Sequence, residues 1–355
     1  MRVAYTLEQC WHRVPGGTGT AALALADAIV RTGTTELVGV AGRHRGPATP
    51  GFEPGIKVAH LPVGGAVLYE TWLRFGWPLV ESVVESPDVV HATTVIPPAT
   101  RAPLVVTLHD IAFVRHPEFF TDRGNKVFAR SLSRLRRDAS VVMCSSHATL
   151  DDCLANGFDS SRLRHVPLGV SPMHADAADV ARVRAEHSLP DEFVLFVGTR
   201  EPRKNLDRLV SAMAGVRGGL PLVVAGMHGW GGGIPPGAAG VHLLGHVPAA
   251  DLAALYAACS VFAYPSLLEG FGMPVLEAMS AGAPVVTSAG TSTEEVAGGA
   301  AVLVDPLDVA SITAGINDAL ARRGELSSLG RARAAGQTWD RTAALVLEAY
   351  AEAAR

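Results

Sequence analysis

The segment Ser266-Leu267-Leu268-Glu269-Gly270-Phe271-Gly272-Met273-Pro274-Val275-Leu276-Glu277 places two carboxylates on either side of a Gly-Phe-Gly-Met-Pro run. It follows an apolar run ending at Tyr264, so a strand delivers it to the mouth of a sheet, and Pro274 suits the first turn of a helix. Gly270 and Gly272 allow backbone to approach a bound molecule closely. The N–H groups of Gly270, Phe271, Gly272 and Met273 open that helix and face the same volume as Glu269. A helix N-terminus attracts anions through its free N–H groups and its dipole. The set suits the hydroxyls and diphosphate of a sugar nucleotide, with Glu277 one or two turns further on to accept from ribose hydroxyls.

A second group of charges lies in Gly198-Thr199-Arg200-Glu201-Pro202-Arg203-Lys204-Asn205, between a predicted strand and helix. Arg203 and Lys204 near a helix N-terminus can neutralise charge growing on a departing diphosphate. In the first half, Thr107-Leu108-His109-Asp110 ends a predicted strand and sets His109 at its carboxyl end. The turn Gly16-Gly17-Thr18-Gly19 precedes a helix without the GxGxxG spacing of a dinucleotide site. Gly17 is its candidate for close approach by a ligand, because an absent side chain permits it. Gly226-Met227-His228-Gly229 and Leu244-Gly245-His246-Val247 follow strands of the second half.

These residues need a scaffold that brings strand ends together. Apolar runs at 2–6, 37–40, 89–91, 104–108 and 141–144 predict strands, a helix is predicted from about 20 to 31, and the Gly- and Pro-rich stretch 43–66 reads as irregular. Beyond Pro167 and Pro172 lies a polar connecting segment. The pattern then restarts, with strands at 193–197, 221–225, 241–244, 261–264 and 284–287, and helices at 205–214, 249–258 and 274–281. Ser292-Thr293-Glu294 reads as a cap and helix start. β-Branched runs alternating with helices argue for α/β architecture, two doubly wound parallel sheets. Ligands of such folds lie beyond the carboxyl ends of strands, here in a cleft between two domains. The expected divisions are 1–168, 190–335, and a C-terminal helix at 336–355 packing back on the first domain.

The Glu269-to-Glu277 spacing, continued by Ala278-Met279-Ser280-Ala281-Gly282-Ala283-Pro284-Val285-Val286, resembles the signature of the retaining family 4 glycosyltransferases. That resemblance implies the GT-B fold, two Rossmann-like domains facing across a cleft. It also implies no cofactor and no metal, with a nucleotide diphosphate sugar as the donor substrate. Lys204 matches the family's diphosphate-binding lysine. The arginine is Arg203 or Arg200, since Thr199 stands where many relatives carry it. His109 matches the family histidine beside the donor sugar, and Glu269 and Glu277 match its contacts to sugar and ribose. Gly17 matches the turn near the donor phosphates and the acceptor, which makes Thr18 and His12 candidates for reading the acceptor, and the Val247 backbone matches a contact to the base edge. The catalytic set is then His109, Glu269, Lys204 and Arg203. The implied reaction transfers a hexose to a hydroxyl of a glycan, lipid-linked or small-molecule acceptor. GDP-mannose is slightly favoured, and UDP- and dTDP-sugars fit the same motifs. A UDP-sugar epimerase of this fold and a non-catalytic carbohydrate-binding protein are the alternatives.

Composition narrows the field. Of 355 residues 48% are hydrophobic and 18% charged, so buried cores rather than disorder are expected. A net charge of -4 argues against a nucleic-acid partner. Cys10, Cys144, Cys153 and Cys259 are scattered and form no CxxC pair, as expected of isolated thiols in a reducing compartment. The adjacent Asp151 and Asp152 point to different faces and make no metal site. The N-terminus lacks a signal-peptide pattern, and no apolar run reaches the ~20 residues of a membrane span. A cytoplasmic protein is expected. Arg123, Lys126, Arg130, Arg134 and Arg137 recur at helical spacing over 123–137. That face suits peripheral contact with the inner membrane surface as well as it suits plain solvation.

Overall fold

The β-branched runs become parallel strands because both their faces can be buried under helices. In the computed structural model, which describes residues 1–227, 229 and 240–355, the chain divides into two compact units. One comprises Met1–Gly169 with Trp339–Arg355, the other Val170–Thr338.

The first unit holds β1 (Arg2–Thr6), β2 (Glu36–Gly42), β3 (Val58–Leu61), β4 (Val89–Ala92), β5 (Leu104–Leu108), β6 (Ala139–Cys144) and β7 (Leu163–His165). Their order across the sheet is β3-β2-β1-β4-β5-β6-β7, all parallel. The winding reverses between β1 and β4, so the loops leaving these two strands diverge and open a crevice at their carboxyl ends. The C-terminal helix Trp339–Ala353 packs on the helix Gly16–Arg31. It is pinned by Tyr350 Oη at 2.7 Å from His91 Nδ1, and by Thr342 Oγ1 donating to the Pro167 carbonyl at 2.9 Å.

The second unit holds β8 (Val194–Val197), β9 (Leu222–Ala225), β10 (Val241–Gly245), β11 (Val261–Tyr264), β12 (Val285–Ser288) and β13 (Val302–Val304), in the order β10-β9-β8-β11-β12-β13. Its reversal falls between β8 and β11, which pair through Val261 with Val194 and Phe262 with Leu195. The loops after these strands are the two that carry the candidate residues. Both units are Rossmann-like, as the pattern predicts.

Several boundaries differ from the sequence reading. β3 lies inside the stretch read as irregular; as an edge strand it is only partly buried, so its pattern is weak. The glycine run 16–19 is no separate turn, because the helix begins at Gly16. The second unit starts at Val170 rather than 190, since the helix Ala177–Glu186 packs on the helix Ala249–Ala258. Asp176 and Asp179 form its capping box, which makes a stable start out of a segment that reads as polar linker. The last helix begins at Trp339 rather than 336, and residues 336–338 group with the second unit. The cap of the helix Ser292–Ala297 is Thr291.

The basic helix forms as expected, over Asp122–Asp138. Part of its charge is neutralised on the protein itself: Arg130 grips both oxygens of Glu70 at 3.1 and 3.2 Å, and Arg134 pairs with Asp138 at 3.2 Å. Among the described residues, no helix is long and apolar enough to cross a membrane.

Candidate functional site

In the second unit the loops after β8 and β11 lie side by side because their strands are neighbours. Leu267 N–H donates to the Arg203 carbonyl at 2.8 Å, and Asn205 Nδ2 donates to the Pro265 carbonyl at 2.9 Å. This stitching brings three of the candidate side chains into one cluster. Lys204, only 7% exposed, donates from Nζ to Glu269 Oε1 at 2.6 Å and also meets the Tyr264 hydroxyl. Arg203 Nη1 donates to Glu269 Oε2 at 2.9 Å, and its Nε to Glu201 at 2.8 Å. Tyr264 Oη donates to Glu269 Oε1 at 2.9 Å. Ser292 Oγ holds the Glu269 carbonyl at 2.7 Å, fixing the loop.

The electrostatics follow from this packing. Burial pushes the Glu269 carboxyl up, but Lys204 and Arg203 outweigh it and hold the group at about 2. Burial draws Lys204 below the usual lysine range, against the pull of Glu269. Two neighbouring cations and a permanently ionised carboxylate thus sit in a poorly solvated pocket, where their fields are weakly screened. Arg203, not Arg200, is the arginine in the cluster. Arg200 lies half-buried beside it in sequence, with an Nε that is buried and finds no partner among the described residues.

The glycine-rich loop is more structural than the sequence suggests. Gly272 has φ +109°, and a Cβ there would lie 2.8 Å from the Thr293 methyl. The fold itself demands glycine, so its identity is not explained by ligand approach. Phe271 is buried at 5% exposure, leaving only its main chain for binding, and Met273 and Pro274 begin the helix Met273–Ala281. Glu277 has a partner of its own, accepting from the Tyr256 hydroxyl at 2.9 Å, and burial raises its carboxyl. Val247 is buried in the link between β10 and the helix Ala249–Ala258. His228 lies outside the described residues. Tyr256 was not singled out from sequence, and Ser292 was read only as part of a helix cap; for Tyr264 the usable signal was its place as the last residue of the strand entering the motif.

In the first unit a cavity of about 490 Å³ fills the crevice at the strand ends. His12 and Gln9 reach it from the segment after β1, Thr94 from the loop after β4, and His109 and Asp110 from the end of β5. His12 Nε2 lies 2.8 Å from Tyr69 Oη. The His109 carbonyl accepts from Ser145 Oγ and Thr149 Oγ1, each at 2.9 Å, which fixes its backbone. Burial lowers the His109 ring below the usual histidine range, opposed by Asp110 and the Thr93 carbonyl. The ring is therefore neutral at pH 7, a hydrogen-bonding group rather than a cation. Asp110 spends Oδ1 on the Ala112 N–H at 3.0 Å, capping the next turn. Thr18 lines the cavity, and a Cβ built on Gly17 would meet nothing within 4 Å. No neighbour among the described residues explains a glycine at 17, which leaves room for an approaching molecule.

Glu8, unmarked by any motif, is 2% exposed. It accepts from the Gly42 and Gly65 N–H groups at 2.6 and 2.5 Å, and from His44 Nε2 at 3.1 Å. It ties down the start of the helix Gly65–Phe75, which carries Tyr69 and Glu70 into the cavity wall.

Comparison with known proteins supplies an independent line. The family model described as Glycosyltransferase Family 4 matches residues 15–173, and the one described as Glycosyl transferases group 1 matches residues 179–335. O-antigen chain mannosyltransferase B of Escherichia coli is 30% identical over 268 residues, 69% of each chain. A GDP-mannose-dependent alpha-(1-6)-phosphatidylinositol monomannoside mannosyltransferase of Mycolicibacterium smegmatis is 30% identical over 230 residues, 59% of each chain. The solved structure of Anabaena HepE in complex with UDP and glucose superposes with a TM-score of 0.72, covering 98% of each chain at 19% identity.

Proposed function

This chain belongs to glycosyltransferase family 4 and has the GT-B fold, and from that premise we propose that it transfers a mannosyl group from GDP-mannose to an acceptor hydroxyl with retention of anomeric configuration. The reading is carried by the buried Lys204–Glu269–Arg203 cluster at the winding reversal of the second sheet. With Arg200 and Glu201 included, cations outnumber carboxylates among the described residues of this loop pair. That surplus takes up the charge of a departing diphosphate, the task a divalent ion performs elsewhere, so no metal is required. Glu269 uses part of its acceptor capacity on the two cations and Tyr264; a carboxylate has about four lone-pair sites, which leaves one for a donor hydroxyl. His109, neutral, hydrogen-bonds the donor sugar.

In the step itself the anomeric carbon–oxygen bond to the diphosphate breaks and the bond to the acceptor oxygen forms on the same face. The acceptor proton passes to an oxygen of the leaving diphosphate, so no protein base is consumed. Mannose and GDP are favoured because the two relatives above are named mannosyltransferases, one of them GDP-mannose-dependent. Glu277 serves the ribose, the Val247 main chain the base, and Gly17 the diphosphate. The acceptor, a glycan, lipid-linked or small molecule, occupies the first unit's cavity. Arg123 and Lys126, exposed and without an ion-pair partner among the described residues, offer peripheral contact with an anionic membrane face.

The test is acceptor-dependent release of GDP from GDP-mannose in the presence of EDTA, with the product anomer read by NMR. An α-linked product formed at an undiminished rate in EDTA supports the reading. A β-linked product refutes retention, and abolition by EDTA refutes metal independence. Turnover of UDP-sugars alone refutes the donor.

A further inference from the structure

The first unit's cavity has two unlike sides. Its strand-end side is polar, with Gln9, His12, His109 and Asp110. Another part of its lining is apolar, with Phe113, Phe120, Val127 and Phe128 from the segment running into the helix Asp122–Asp138, where Thr121 and Arg123 also reach the cavity. The three phenyl rings form one contact cluster, with centroids 5.1 Å apart for Phe113–Phe128, 6.0 Å for Phe120–Phe128 and 6.2 Å for Phe113–Phe120. No two are coplanar: two pairs meet at 90° and the third at 40°, so they present no single flat platform on which a pyranose would stack. Phe120, Val127 and Phe128 remain half-exposed towards the cavity.

Sugar hydroxyls turned onto the three rings themselves would find no partner there, at a cost of about 1–3 kcal/mol for each one fully buried. The cavity's 490 Å³ is also in the range of pockets that hold whole drug-sized ligands, about 300–1,000 Å³, rather than one monosaccharide. We propose that the acceptor is an amphiphile: a hydroxylated head at the strand ends, joined to an apolar group that lies on the Phe113–Phe120–Phe128 wall. The apolar group is an alkyl or prenyl chain or an aryl ring, which share the same chemistry at this wall. The inference rests on the transferase reading for its consequence in turnover, but not for binding.

Two measurements on the full chain separate these. First, methyl, octyl and phenyl α-mannoside are titrated calorimetrically without donor, below the concentration at which octyl mannoside forms micelles. Second, the same glycosides serve as acceptors for GDP-mannose. Each methylene buried strengthens binding about fourfold, less the cost of ordering the chain, so octyl mannoside is expected to bind, and to lower KM, at least about tenfold relative to methyl. Phenyl outperforming octyl identifies an aryl group, and the reverse a chain; either supports the amphiphile. Phe120→Ala brings the octyl-to-methyl ratio towards one; if that variant folds poorly, the chain-length series on the natural protein decides alone. Equal binding and equal KM for methyl and octyl overturns the proposal, as does a ratio unchanged in a well-folded Phe120→Ala. Octyl binding without transfer to any glycoside upholds the cavity's preference and sinks the transferase reading instead.

Discussion

Replacing Lys204 by Met isolates what the buried cluster does. The ammonium is 7% exposed and 2.6 Å from Glu269, so its loss strands a carboxylate that Arg203 and Tyr264 only partly compensate. Breaking one side of a buried pair costs about 3–5 kcal/mol of stability. The cost depends on pH with a definite sign. Glu269 is held at about 2, below its ordinary value, so its contribution is present above the ordinary carboxylate range and is lost as pH falls towards 2. Adding Glu269→Gln removes the second charge, and most of the lost stability should return, because neutral replacements of buried pairs are often tolerated. Turnover should not return. A preorganised cation facing developing charge is worth about 10²–10³ in rate, and neither variant restores one. The assay is a double-mutant cycle in urea, read by circular dichroism, run beside GDP release under saturating donor. Recovery of turnover to near the natural rate in the double variant would refute the reasoning, since the pair would then be only a structural tie. So would full activity in Lys204→Met alone.

Calorimetry with EDTA present should show GDP binding at least tenfold more tightly than UDP; the reverse preference would remove GDP-mannose as the donor. Gly272→Ala should destabilise the second unit by about 1–3 kcal/mol in urea unfolding, because φ +109° and the Thr293 methyl at 2.8 Å both oppose a side chain. Gly17→Ala should leave stability intact, the space around it being open, yet lower turnover at least tenfold; an unimpaired Gly17→Ala enzyme would show that nothing approaches there. His91 is fully buried between Tyr350 and Thr107, and burial lowers its ring to about 3. The unfolded chain takes up a proton below about 6.5 that the folded chain refuses, so stability falls as pH drops from there, by about 1 kcal/mol per pH unit. Melting temperatures from pH 7 to 4.5 should show that slope, and His91→Gln should flatten it; an unchanged slope would place the acid sensitivity elsewhere.

The legible parts of this fold are those whose signal is local. β1, with Val3, Ala4 and Tyr5 at its centre, and the fully apolar β11 are interior strands and were readable to the residue, as was the helix Ala249–Ala258. β3, β7 and β13 escaped notice because each is an edge strand of only three or four residues, too short for a periodic pattern to build up. The C-terminal helix was readable from its periodicity, and so was the 266–277 motif, because its glycines, proline and glutamates are contiguous.

What the sequence determined by itself was therefore the chemistry on offer: two doubly wound sheets, and loops at 198–205 and 266–277 bearing a diphosphate-sized set of cations, carboxylates and N–H groups. Tertiary structure decided which of those groups meet. It set Lys204 and Arg203 on Glu269 rather than leaving all three open, gave Glu277 to Tyr256, and made Gly272 a demand of Thr293. It also assembled the aromatic wall from Phe113, Phe120 and Phe128, and buried Glu8 under two backbone N–H groups from other elements. The reason is one of range. Propensity and periodicity act over a turn or a strand, whereas a buried charge finds its partner, and shifts its proton affinity, through neighbours dozens of residues away.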